Sequence, residues 1–142
     1  MRESLIPYEE FTNPTLSTIT RILNGDKWLI ISGDTPTRTR LAAKLALQGT
    51  LDRAGYTPRT LFGKGLYNGI AESVALVVPV GAVYTVARYL GRELNQKIVL
   101  IPSGFYNVLT GETESPLGPL RIPYTGNNDH TNINGVCFRF DN

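Results

Sequence analysis

Phe62–Val80 reads FGKGLYNGIAESVALVVPV, and its two halves differ in kind. From Gly63 to Gly69 three glycines alternate with Lys64, Leu66, Tyr67 and Asn68. From Ser73 to Val80 the run is apolar and valine-rich, the composition of a strand buried on both faces. Glu72 stands at the junction, where a polar segment meets sheet, a position suited to mounting a binding group. The glycine stretch fits two readings. In one it is a ligand loop, whose glycines let backbone approach a phosphate while Lys64 offers a point charge. In the other it is a plain glycine-rich hairpin.

Working outward, Ala71–Val78 is predicted as a strand, and Arg59–Phe62 as a short strand that pairs with it antiparallel. Upstream, Lys27–Ser32 (KWLIIS) is a first strand, broken by Gly33-Asp34-Thr35-Pro36. A long helix follows from Thr37 to Ala54, with Leu41, Leu45, Gln48 and Leu51 toward one face and Gly55 closing it. Downstream, a helix opening at Gly81 places Val83, Val86, Ala87, Leu90 and Leu94 at helical spacing, and Lys97–Pro102 (KIVLIP) is a further strand. Asn13-Pro14 reads as the N-cap and first position of an early helix through Leu23. The order is β-α-β-β-α-β after a short helix, which predicts an α+β, ferredoxin-like sandwich with two helices on one face of the sheet. Residues 1–142 then form one domain: an N-terminal helix in 1–25, the βαββαβ core in 27–102, and an extended or β extension in 103–142. In that extension Phe105–Leu109 is a short strand and Val136–Phe140 an edge strand. The segment Thr110–Asn134, with its prolines, asparagines and glycines, is expected to be the most mobile region unless a partner or neighbouring subunit covers it. Trp28, Leu45, Leu76, Val78, Val86, Leu90 and Val99 are expected to share one core.

Composition excludes several classes. A chain of 142 residues, 42% hydrophobic and 18% charged, buries a real core without staples. A net charge of +2 does not by itself imply nucleic acid. The single Cys137 rules out an internal disulfide framework, and with one histidine there is no Cys/His metal site. Cys137, between Val136 and Phe138, reads as a buried thiol. The N-terminus lacks the apolar core of a signal peptide, and no run approaches a membrane span, so a cytoplasmic protein is expected.

The spacing Gly65-x-Tyr67-x-Gly69-x-x-Glu72-Ser73 before an apolar strand resembles a family of small uncharacterised proteins from bacteria and their phages. The resemblance extends over Arg40–Tyr56 and Gln96-x-x-Val99-Leu100, and covers about residues 28 to 110. That family carries an asparagine where the long helix opens. Here the segment is Thr35-Pro36-Thr37-Arg38-Thr39-Arg40, with none. The family has no established reaction. With the polar tail, the resemblance implies a phage accessory or inhibitory factor acting in the host cytoplasm.

Candidate chemistry gathers in two places. Ser32–Arg40 joins a strand end to a helix start, where free N–H groups, Arg38 and Arg40 would favour an anion. The same residues also fit a capped helix with solvated arginines. Gly63–Gly69 and Glu72 form the second place. Both are expected to converge at one sheet edge, making Arg38, Arg40, Lys64, Tyr67, Asn68 and Glu72 the ligand-binding set, with no metal and no cofactor. Asp129-His130 lies in the polar run Thr125–Asn134 without a neighbouring nucleophile, so a solvated pair is expected. The predicted central strands offer only Trp28 as an exposed aromatic, which argues against RNA.

The functional expectation is a non-enzymatic protein holding a small anionic, nucleotide-like ligand or a protein partner. Two rival classes stand beside it. One is an enzyme on nucleotide or phosphorylated substrates with Glu72 as general base. The other is a structural or assembly subunit that uses the proline-rich tail as an arm; for the protein in any of these classes a homo-oligomer is an open option.

Overall fold

The computed structural model of the protein describes residues 6–141. Its helices are α1 (Tyr8–Thr12), α2 (Leu16–Leu23), α3 (Arg40–Ala54) and α4 (Val83–Glu93). Its strands are β1 (Leu29–Ser32), β2 (Thr60–Tyr67), β3 (Ile70–Val77), β4 (Ile98–Ile101), β5 (Gly104–Asn107), β6 (Glu112–Thr113), β7 (Leu120–Arg121), β8 (His130–Ile133) and β9 (Val136–Phe140). They form one antiparallel sheet in the order β6-β5-β4-β1-β3-β2-β8-β9-β7.

Helix ends follow local chemistry. Thr15, not Asn13, caps α2: its hydroxyl accepts from the Thr18 amide, and Thr18 returns the bond to the Thr15 amide. Pro14 therefore precedes the helix instead of opening it. Thr39 caps α3, accepting from the Ala42 amide at 3.1 Å, so that helix starts three residues later than the sequence pattern implies. Gly55, at φ 83°, ends it in the left-handed conformation.

Alternation along the central strands gives the sheet two buried faces. Leu29, Ile31, Ala75, Val77, Val99 and Ile101 pack under α3 and α4. Ile30, Val74, Leu76 and Val78 point the other way and meet Phe11, Ile19, Ile22, Trp28, Ile133 and Phe138. Burial on both sides explains the unbroken apolar run from Val74 to Val78.

The chain does not form the expected ferredoxin-like sandwich; it is a curled half-barrel. The decisive pairing is β2 with β8, where Gly63 faces Ile133 and Gly65 faces Thr131, together with β4 against β5. Neither outer strand of the predicted core is thus an edge. The segment 103–142 continues the sheet, and β8 lies inside the run expected to be a mobile loop. The curl brings β9 back over the start of β1: the Phe140 ring stacks on Trp28 with centroids 5.5 Å apart.

Two causes account for the misreading. Hairpin β8–β9 turns on Asn134-Gly135, both at positive φ (51° and 84°), a strong short hairpin signal hidden in a polar run. Gly63 is in-strand because a Cβ there would come within 2.2 Å of the Asn132 carbonyl oxygen, so the glycine permits β8 to approach.

The single expected core is also divided. Trp28, Leu76 and Val78 belong to the concave side, and Val86, Leu90 and Val99 to the helix side. Leu45 belongs to neither, being 57% exposed. Helix α3 instead buries Ala43, Leu47, Thr50 and Leu51, one helical face round from the one predicted. Cys137 is half-buried on β9. Among the described residues no helix is long and apolar enough to cross a membrane.

Candidate functional site

The curl leaves a groove of about 630 Å³ on the concave face, within the range of small-molecule sites. It runs across the strands, from Ile98 and Phe105 on β4 and β5, past Ile30 and Val74, to Thr131 and Phe138 on β8 and β9. Ile30, Val74, Leu100 and Phe138 give it an apolar floor. A smaller cleft of about 460 Å³ lies between α1 and the 3-10 turn Thr57–Arg59. Its one carboxylate, Asp52, already accepts from the Thr57 hydroxyl.

Hairpin β2–β3 positions the polar groups. The expected loop from Gly63 to Gly69 is strand as far as Tyr67, and the turn is only Asn68-Gly69, at φ 53° and 77°. Both central residues at positive φ match the twist of the flanking strands, which is why Asn-Gly is favoured there. Gly65 pairs with Glu72 across the ladder, and a Cβ on Gly65 would lie 2.2 Å from the Tyr67 ring. The glycine thus makes room for Tyr67 to fold back beside Glu72. The Gly-x-Tyr-x-Gly-x-x-Glu spacing is a hairpin that sets an aromatic and a carboxylate side by side. Tyr67 shares a 2.8 Å hydrogen bond with the buried Thr131 hydroxyl. Burial foremost, then the charges of Glu72 and Asp129, push the Tyr67 pKa up against the opposing effect of that bond.

The end of β1 does meet the start of β3. The Gly33 amide donates to the Ser73 carbonyl at 3.1 Å, and Asp34 Oδ1 accepts from the Ser73 amide at 2.8 Å. Asp34 and Glu72, flanking this junction, both line the groove. The expected cations do not join them. The Arg38 guanidinium donates to the carbonyls of Gly33 (2.8 Å) and Leu94 (2.9 Å), tying β1 to the end of α4. Arg40 is exposed on the first turn of α3. Lys64 pairs with Ser73, in the alternation of Phe62 and Ala75, and so stands on the opposite face of the sheet. Asn68 occupies the turn, its amide donating to Asp129 Oδ1 at 3.0 Å. Of the six residues named from sequence, the groove brings together Tyr67 and Glu72.

Other groove residues carried little signal in sequence. Thr131, Phe138 and Leu117 come from the segment read as loop and edge. Asp129 and His130 also border the groove, but not as a catalytic pair. His130 Nδ1 donates to the Asn128 carbonyl at 2.7 Å, and its ring lies 5.8 Å from that of Tyr124. Arg139 extends over the same Tyr124 ring, 5.5 Å from its centroid, with Nε 3.1 Å from Asp141. His130 and Arg139 are one step out of phase with the groove-facing Thr131 and Phe138, so they line the groove only at its rim. Among the described residues no three His, Cys, Asp or Glu side chains converge to hold a metal.

No family model matches the chain, and no curated protein matches it.

Proposed function

We propose that this is a non-enzymatic binding protein whose small-molecule ligand lies across the concave face. The observation that carries the reading is the groove itself, with an apolar floor and polar groups at defined points along it. The hydroxyl and imidazole groups that border it are engaged in structural bonds. Ser32 Oγ accepts from the Asp34 amide at 2.9 Å, Thr131 is bonded to Tyr67, and His130 Nδ1 to backbone. Such groups position a ligand more readily than they attack one.

The test is native mass spectrometry of freshly purified protein, compared with Leu100→Trp, which fills the floor. The expected result is a small-molecule adduct on the wild type that disappears in Leu100→Trp while far-UV circular dichroism is unchanged. A stoichiometric protein complex with no small molecule would replace this reading with the assembly one. A second reading, an enzyme with Glu72 as general base, is favoured by one observation: among the described residues Glu72 has no hydrogen-bond or ion-pair partner, although it lines the groove. Turnover abolished by Glu72→Gln, with folding intact, would establish it.

A further inference from the structure

We propose that the ligand of the concave groove is an organic cation, with a flat or apolar body on the floor and an ammonium-type head between Asp34 and Glu72. This rests on the groove being the ligand site. The cavity itself asks for an apolar body, since Ile30, Val74, Leu100 and Phe138 line it. What decides the charge of the head is which charged side chains the fold turns inward.

Among the described residues, two cations, Lys97 and Arg139, stand at the rim of the groove, and neither they nor their neighbours reach its middle between Asp34 and Glu72 in an ion pair. Lys64 lies on the far face of β2, Arg38 is held by two carbonyls, and Arg139 sits over Tyr124 beside Asp141. Lys97 is exposed at the rim, just before β4, in the alternation of Val99 and Ile101, which face the helices. The carboxylates behave oppositely. Asp34 and Glu72 line the middle of the groove and Asp129 its β8 end, and the ion pairs of the described residues involve none of the three. Asp34 Oδ1 accepts only a backbone amide, as does Asp129 Oδ1. A carboxylate beside apolar floor, without a counter-charge, attracts a cationic donor more strongly than it would in open water. Because the three carboxylates are spread along the groove and do not converge as metal ligands, an extended organic cation suits them better than a metal ion.

A matched set of probes tests this: naphthylmethylamine, naphthylmethanol and naphthylacetic acid share a ring and differ in head charge. Titrations at neutral pH and low salt are read by amide chemical shifts in two-dimensional NMR. We expect shifts at groove residues for the amine, with an affinity at least about tenfold above that of the acid. Glu72→Gln and Asp34→Asn should each weaken the amine several-fold and leave the alcohol unchanged. Both substitutions keep side-chain volume, and the carboxamide oxygen introduced by Asp34→Asn can still accept from the Ser73 amide. Equal or tighter binding of the acid would overturn the cationic class and leave the groove as the site. Absence of groove shifts with all three probes would overturn both readings.

Discussion

At the scale of single residues, side chains that look like ligand groups are part of the frame. Arg38 would serve an anion if its guanidinium were free; instead it closes two backbone carbonyls, of Gly33 and Leu94. Arg38→Ala should therefore cost about 1.5–3 kcal/mol of stability, the range for hydrogen bonds to a charged group. Chemical denaturation checks this, and a stability within about 0.3 kcal/mol of wild type would contradict it. Tyr67 is the converse case, a frame residue that also faces the groove. Tyr67→Phe leaves the Thr131 hydroxyl buried without its partner, an expected loss of about 1 kcal/mol. In the double variant with Thr131→Val much of that loss should be recovered, and simple additivity would show the bond to be immaterial. Gly65 was legible in sequence as a glycine with a purpose. That the purpose is room for Tyr67 required the strand register.

At the scale of elements, two Asn-Gly turns govern where everything points. Asn68-Gly69 joins β2 to β3 and Asn134-Gly135 joins β8 to β9, each with both residues at positive φ. A one-residue slip of β8 would exchange Thr131 and Ile133 for their neighbours on the concave face. Gly135→Ala places a Cβ in the left-handed region, at a cost of about 1–2 kcal/mol. The expected outcome is faster amide exchange in β8 and β9, with α4 and β4 unaffected. Uniform acceleration through the whole chain would instead mark this hairpin as part of a single unfolding unit. Helices α2, α3 and α4 were legible to within a few residues because capping and apolar period are local, whereas the five-residue α1 was not read. The buried face of α3 was not. Its apolar residues spread around the axis, so Leu41 and Leu45 are as hydrophobic as Leu47 and Leu51, yet lie 65% and 57% exposed. Leu47→Ala should cost about 2–5 kcal/mol and Leu45→Ala within about 0.5 kcal/mol of nothing, measured as paired melts.

At the scale of the whole molecule, the C-terminal segment completes the fold. Ile133 and Phe138 are fully buried against Leu61, Leu76 and Trp28, and β8 covers the side of β2 that would otherwise be an open edge. A chain ending at residue 110 would lose that half of the concave core. It should unfold non-cooperatively or aggregate, and a sharp calorimetric transition for it would show the remainder to be an independent unit. The groove belongs to the same scale, since its floor comes from β1, β3 and β4 and its far wall from β8 and β9.

What the sequence determined on its own was local. It specified the α+β content, the central apolar strands, the antiparallel pairing of Arg59–Phe62 with Ala71–Val78, the glycine that ends α3, and Tyr67 and Glu72 among six candidate residues. Each depends on residues close together in the chain, or on a run so apolar that it has one stable environment. The tertiary structure alone decided that β8 extends the sheet beyond β2, that the sheet curls into a half-barrel, and that Lys64 and Arg38 are directed away from the groove while Asp34 and Glu72 line it. Those outcomes depend on register and on which surfaces meet between segments far apart in the chain, as in Gly63 against Ile133. Alternation fixes only that neighbours in a strand point opposite ways; which way is inward is set by what the sheet closes upon.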